Sequence, residues 1–442
     1  MNPLSHPSVK AYQNQAAAPD PTPANAATLK AIARKAGAVD AGLIDLDRDP
    51  VLPHKEDLLG VMHDTQSLMI IALKLDRTPL RSLSHSVADQ EFQQVMDQAK
   101  VVQKNIVEAL SSQGIKAVAM PAGFPMEMKR WPAQVWLTNE KLFAQEAGLG
   151  CMGHNRLLLH PVHGAAVLLG TLLLATDCDA YDRPLETDPC LGCGLCAKVC
   201  PTGAIKAQGG FDFTSCYSHN YRERIGGFLN WLEQVVESKT TAEYRSRVSD
   251  GETFSMWQNL AMGSQTRCDR CMAVCPAGEA AVGEFAQDPK AYVHHYQKPF
   301  AQLAETIYAV KGSDAEAHVK AHFPHKTIKP ISNGLRPLTV EIFLSSLPRI
   351  FQAGQSHGID TVYHFTFTGQ ETATATVTIR NQTLTVQDDL QGQADLAVTA
   401  DSRTWINFLA GEANLLLALV TRKIRIKGSP KLMKNFARCF PS

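Results

Sequence analysis

The chain has no excess charge of either sign, since 43 Lys and Arg face 43 Asp and Glu. No whole-molecule field steers it onto nucleic acid or an anionic membrane, so any such contact needs a local patch and a nucleic-acid partner is not expected. A long apolar run is missing too. The stretch around Ala165 to Ala175 is broken by Gly170 and Thr171 and stops short of the roughly 18 to 20 residues of a membrane span, which predicts no integral span. Met1 to Asn25 hold Pro, Ala, Asn and Gln, with neither an apolar segment nor twin arginines. They read as a flexible tail (1–25) rather than an export signal, and a cytoplasmic location is expected. With 442 residues the prior is about three domains. Hydrophobic residues at 45% against 19% charged exclude a disordered chain.

What is present is cysteine, eleven in all. In a reducing compartment these are expected to bind metal or react rather than form disulfides. Cys190, Cys193, Cys196 and Cys200-Pro201 form C-x₂-C-x₂-C-x₃-C-P, the bacterial ferredoxin run, in which the fourth thiolate ligates the other cluster. Gly192 and Gly194 between the ligands let the loop bend around iron, and the proline redirects the chain. A second run, Cys268-x₂-Cys271-x₃-Cys275-Pro276, is one cysteine short because Gln265 stands where a fourth would be, and Cys216 fills the deficit. The crossed scheme gives Cys190, Cys193, Cys196 and Cys275 to one [4Fe–4S] cluster and Cys200, Cys216, Cys268 and Cys271 to the other. Zinc also uses C-x₂-C pairs but does not require the tripled spacing. Cys151, Cys178 and Cys439 read as small buried hydrophobes, with Cys151 set apart by lying in a glycine-rich turn.

From Ala26 to about Asp177 helical and strand-like patterns alternate. Helices are predicted at Ala27 to Ala36, Asp89 to Gln113 and Thr138 to Glu146, and strands at Ala41 to Leu46, Gln66 to Leu75 and Ile115 to Met120. This argues for an α/β layer domain. It leads into Ala147-Gly148-Leu149-Gly150-Cys151-Met152-Gly153-His154-Asn155-Arg156, whose three glycines would let the backbone approach a large ligand. A strand hairpin, LLLHPVHGAAVLLGTLLLATD, is expected next.

In order, AGLG-x-x-G, the apolar hairpin, CxxCxxCxxxCP, a single Cys sixteen residues on and a closing CxxCxxxCP resemble the epoxyqueuosine reductase and reductive dehalogenase group, from about Gln66 to Pro276. The resemblance implies cobalamin held between the α/β domain and the ferredoxin-like domain, with electrons arriving from an external donor (ferredoxin, flavodoxin or a reductase). It implies that the backbone at Gly148, Gly150 and Gly153, together with His154, Asn155 and Arg156, contacts the corrin or its nucleotide tail. Two departures stand out. Epoxyqueuosine reductases carry a proton-donating aspartate thirteen residues before the alanine of AGLG, and here that position is Gln134, whose carboxamide transfers no proton. This disfavours tRNA modification. The tyrosine and nearby basic residue of the dehalogenases have no evident counterpart, with Glu127, Lys129 and Arg130 candidates by proximity alone. The 51 residues between Cys216 and Cys268 are also long, and their helical patterns, with Tyr221, Trp231 and Trp257, suit packed core or a cover over a cavity.

Pro324 to Pro337, with Pro330 and Gly334, reads as a linker. Beyond it VYHFTFTG, TATATVTIR, QTLTVQDD and ADLAVTA are short alternating strands. Helices at Ser402 to Leu409 and Leu415 to Val420, the strand Lys423 to Lys427 and a helix Pro430 to Phe436 follow. Trp405, Phe408, Gly411, KIRIKG, Leu432 and Phe436 resemble the sterol carrier protein type 2 family, which implies a hydrophobic small molecule or lipid between helices and sheet. The seven cations from Arg422 to Arg438 suit a solvated face or an anionic membrane surface.

The expected fold class is an α/β N-terminal domain plus a bacterial-ferredoxin-like two-[4Fe–4S] domain, followed by an α+β sterol-carrier-like domain. The units are 26–180, corrinoid-binding-like; 181–290, two-cluster with a helical insertion; 291–336, a helical linker; and 337–442, lipid-binding. The expected function is a cobalamin-dependent reductase that removes a halide or oxygen substituent from a hydrophobic substrate. A non-catalytic electron-transfer protein with a lipid-binding domain is the competing reading.

Overall fold

In the computed structural model, which describes residues 2–13, 23–132, 134–263 and 267–441, the first six strands are β1 (Asp40–Asp45), β2 (Ser67–Lys74), β3 (Ala117–Ala119), β4 (Cys151–Met152), β5 (Leu158–Leu159) and β6 (Val167–Leu174). Every residue of β2 except Lys74 is buried, as a strand covered on both faces requires. Its side chains alternate. Met69, Ile71 and Leu73 pack with Leu29 and Ala33 of helix Ala26–Ala36 and with Val95, Ala99, Val102 and Ile106 of helix His85–Ser111. Leu68, Ile70 and Ala72 face Leu58 and Phe143 on the other side. Each of the Val, Leu, Ile, Phe and Met side chains among these contributes about 1.5 to 3 kcal/mol by burial. The result is a layered α/β domain whose sheet, in the order β1-β2-β6-β3, pairs antiparallel throughout. Gly170 lets Gln103 of the long helix approach the sheet, where its amide donates to the carbonyls of Met120 (3.1 Å) and Thr171 (3.2 Å).

Of the expected hairpin a single antiparallel bridge forms, His160 with Gly164. β5 pairs with β4, placing Leu159 opposite Cys151, while β6 lies between β2 and β3. The Pro161 to Ala166 turn separates two strands that find different partners, because the longer apolar run can bury both faces only in the main sheet.

The cysteine-bearing region is helical, with short helices Leu195–Val199 and Arg270–Ala273 between ligand candidates, helix Phe213–Asn220 carrying Cys216, and an insertion of helices Ile225–Glu237, Thr241–Arg247 and Asp250–Met262. Residues 291–336 differ from the helical linker expected of them. Besides short helices they hold β7 (Thr306–Val310) and β8 (Thr327–Ile331), a parallel pair bridged by helix Asp314–His322. The TIYAV segment is buried against that helix, and Pro330 is tolerated because β8 is an edge strand. Of the expected tail, Pro7–Gln13 is a helix, whereas Met1 and residues 14–22 lie outside the described residues, as does Gln265.

The last sheet has the order β11-β10-β9-β12-β13, from β9 (Thr361–Thr368), β10 (Ala373–Arg380), β11 (Thr383–Asp388), β12 (Leu396–Asp401) and β13 (Ile424–Gly428). Its inward residues Tyr363, Phe365 and Phe367 pack on Phe343, Trp405 and Phe436 from three helices. Gln352, fully buried, joins this domain to the cysteine region: its amide donates to both carboxylate oxygens of Asp212 (3.2 and 3.1 Å), and Asp212 caps the helix carrying Cys216. Among the described residues no helix is long and apolar enough to cross a membrane.

Candidate functional site

All eight cysteines of the motif are free thiols, and the fold gathers them into two groups. Cys190, Cys193, Cys196 and Cys275 line one hollow, together with His154, Asn155 and Leu159 of the α/β domain. Gly192 and Gly194 bend its wall with positive φ, at 61° and 69°. Cys200, Cys216 and Cys271 pack around Ala204, Ile205 and Phe211, where Cys196 of the first group also touches, and Cys268 is fixed beside them by its N–H donating to Asn220 Oδ1 at 2.8 Å.

The electrostatics follow nearly the same division, with Cys196 of the first group also acting on Cys271 of the second. Burial raises Cys196 to about 12, and its neighbours Cys275, Cys193 and Cys190 add to the effect. Burial raises Cys275 to about 11, Arg77 opposes, and Cys193 and Cys190 push it further. In the second group burial lifts Cys216, Cys268 and Cys271, and Cys200 acts on all three. Thiols crowded and desolvated in this way ionise only against a cationic partner. Among the described residues no three His, Cys, Asp or Glu side chains close on a single ion. Four thiols spread around a hollow suit a polynuclear iron–sulfur group, which the residues therefore fit.

The glycine-rich turn behaves otherwise than its composition suggests. A Cβ at Gly148 would meet the Arg183 carbonyl oxygen at 2.5 Å, and one at Gly150 the Leu159 carbonyl oxygen at 2.4 Å; at Gly153 it would meet the Leu159 side chain. The close approach these glycines permit is to their own chain. Asn155 is buried, and its amide donates to the Cys271 carbonyl at 3.3 Å while its neighbour His154 borders the first hollow. Arg156 adopts φ 60°, and its carbonyl accepts from Lys141 Nζ at 2.7 Å. The turn thus stands between the two cysteine groups.

Lys141 shows accessible surface, yet burial pushes its ammonium down while the Cys216 and Cys271 thiols pull it up. Its exposed side chain thus lies beside the second cysteine group. Tyr221 borders the same place, its hydroxyl raised by burial and by Cys216 and lowered by Arg224. Next to Lys141, Glu140 opens helix Glu140–Glu146, where the helix N-terminus favours a carboxylate. Burial overrides that preference and lifts it to about 8, and its Oε1 is buried without a hydrogen-bond partner. Nothing in the sequence pattern marks Glu140, because its desolvation comes from elements remote in the chain. Arg77 escapes the sequence in the same way. Its guanidinium donates to the carbonyls of Cys275 (2.7 Å), His163 (2.7 Å) and Ala277 (3.0 Å).

Gln134 donates to Asp57 Oδ2 (3.2 Å), which also accepts from Arg130 (2.7 Å). Burial alone would raise Asp57, but these two hydrogen bonds outweigh it and hold the carboxylate below its usual range. Glu127, Lys129 and Arg130 are exposed. Trp257 points outward at 59% exposure, and Trp231 donates to Tyr244 Oη at 2.9 Å, so of Tyr221, Trp231 and Trp257 it is Tyr221 that lies beside Cys216. Cys178 and Cys439 are buried as expected, and Cys151 is half-buried.

A 4Fe-4S double cluster binding domain matches residues 189–278, a span containing all eight cysteines, and the SCP-2 sterol transfer family matches residues 352–441. An epoxyqueuosine reductase of Bacillus cereus is 29% identical over 138 residues, 31% of this chain and 29% of that protein. One of Pseudomonas aeruginosa is 26% identical over 223 residues, 48% of this chain and 51% of that protein. The chain spans about half or less of the length of these curated relatives. Among solved structures, an epoxyqueuosine reductase with an epoxyqueuosine-modified tRNA stem loop is 19% identical, covering 58% of this chain and 65% of that one with a TM-score of 0.34. A catabolic reductive dehalogenase in complex with 3-bromo-4-hydroxybenzoic acid is 14% identical, covering 66% and 36% with a TM-score of 0.37. The chain resembles this group, carries a double-cluster iron–sulfur domain and ends in a sterol-carrier-type domain.

Proposed function

We propose that the chain is an iron–sulfur reductase in which Cys190, Cys193, Cys196 and Cys275 hold one [4Fe–4S] cluster and Cys200, Cys216, Cys268 and Cys271 the other. What supports this reading is that Cys190, Cys193, Cys196 and Cys275 line one hollow while Cys200, Cys216, Cys268 and Cys271 act on one another, with Cys196 at the border between the two sets. An external donor reaches the first group, whose loop exposes Leu191 and Gly192. The second group lies beside Lys141, Tyr221 and Asn155, and this is where we place a recess for a corrinoid and the reacting substrate.

Bound there, the clusters and a corrinoid supply one-electron transfer. The chain's own residues do the rest. Lys141 and Arg156 offset negative charge at the recess, and Asn155 ties the turn to the Cys271 backbone. Glu140 holds a proton at neutral pH, which ion-paired Asp57 does not, so it takes the part that Gln134 cannot play. Tyr221 with Arg224 supplies the tyrosine and basic residue of the dehalogenase resemblance. A recess furnished with a protonated carboxyl favours an enzyme over a plain electron carrier.

For the substrate, the curated relatives favour epoxyqueuosine in tRNA, ahead of the hydrophobic halogenated or oxygenated compound suggested by the C-terminal domain. The test is anaerobic purification with cobalamin supplied. About eight iron atoms per chain and added corrin absorption are expected, followed by turnover of one substrate class under a low-potential donor. A zinc-loaded, iron-free protein would overturn the reading.

A further inference from the structure

We propose that helix Leu415–Val420 and the turn after it dock the protein onto an anionic lipid surface. The inner side of this six-residue helix, Leu415, Ala418 and Leu419, packs on the core of the C-terminal domain. Its outer side is aliphatic too: Leu416, Leu417 and Val420, at positions i, i+1 and i+4, are 73%, 63% and 81% exposed. A helix apolar on both sides calls for a cover over its outer face.

The charge around that face says what covers it. After Glu412 the chain has no acidic residue, but it has Arg422, Lys423, Arg425, Lys427, Lys431, Lys434 and Arg438. All seven are exposed, and the acidic side chain whose charge Lys423 reaches, Asp401, lies on the neighbouring strand end. This local excess belongs to a chain of zero net charge. Arg422 and Lys423 follow Val420 directly, Arg422 turning the chain with φ 59°. In β13 Ile424 and Ile426 face inward while Arg425 and Lys427 face outward. Cations on an edge strand also discourage strand pairing, which accounts for Arg425 and Lys427 but leaves the three aliphatic side chains unexplained. Nucleic-acid phosphates would be met by the cations alone, which again leaves the three aliphatic side chains unexplained. Aliphatic side chains rimmed by Arg and Lys match the interfacial region of a bilayer with anionic headgroups. The inference does not depend on a lipid occupying the domain's interior.

The test uses full-length protein and sedimentation with phosphatidylcholine vesicles, with and without phosphatidylglycerol. Binding is expected only with the anionic lipid and should weaken with salt. Reversing Arg422, Lys423 and Arg425 to Glu should lower the partition coefficient about fivefold or more per residue. Leu416→Ser, Leu417→Ser and Val420→Ser together, all at exposed positions that leave the fold intact, should weaken binding at unchanged charge. Equal binding to neutral vesicles would overturn the proposal. So would full retention by the serine variant, or tight binding to an RNA stem loop that the charge reversals abolish while no vesicle binding is seen.

Discussion

The Arg77 guanidinium donates to the carbonyl oxygen of Cys275 at 2.7 Å, joining residues 198 apart in the chain. The same group reaches His163 and Ala277, and a Cβ at Gly164 would meet the Ala277 carbonyl oxygen at 1.9 Å. The last ligand candidate of the first group is therefore positioned by the α/β domain rather than by its own motif.

Arg77→Ala should leave these carbonyls short of a donor and cost about 2 to 3 kcal/mol, measured by denaturant unfolding. Iron loss at the first group should accompany it, while a variant with full iron and unchanged stability would show that Cys275 is held by other means.

Cys216→Ala should leave the first group loaded and disable the second. Iron analysis on the purified variant should give about half the wild-type content. A full complement would refute the division of ligands.

Glu140→Gln tests the proton source. With Glu140 raised from 4.5 to about 8, the folded state binds more protons than the unfolded one across that interval. Stability should therefore fall as pH rises from about 4.5 to 8, and the Gln variant should flatten this slope. Reductase activity should fall in wild type as pH passes about 8, and in the variant drop about 100-fold or more. Unchanged activity in Glu140→Gln at normal iron content would move the proton source elsewhere, with Tyr221→Phe the next variant.

Gln352→Leu would leave Asp212 buried with only the Ser215 contacts. A loss of about 1 to 3 kcal/mol is expected, together with faster loss of iron from the Cys216 group on exposure to chelator. Normal iron retention would show that the C-terminal domain does not support the cluster region.

Much of the C-terminal domain was readable in one dimension. Helices Ser402–Leu409 and Leu415–Val420 lie where the pattern put them, because the amphipathic periodicity of the first and the capping of both, by Asp401 and Asn414, are local. The hairpin after the glycine-rich turn is reduced to a single bridge for the opposite reason. Which strand pairs with which depends on the burial available across the sheet, and β6 gained both β2 and β3 as partners. The unit β7–β8 was hidden because five-residue strands carry little periodic signal.

The sequence by itself determined the eight cysteines, their interleaved spacing and the family likenesses, since ligand spacing around a cluster is a local constraint on a short loop. It could not say what the three glycines pack against, that Glu140 loses its solvent, that Arg77 reaches Cys275, or that three aliphatic side chains stay uncovered beside seven cations. Those features were decided by the tertiary structure, because burial and charge proximity are properties of residues brought together from distant parts of the chain.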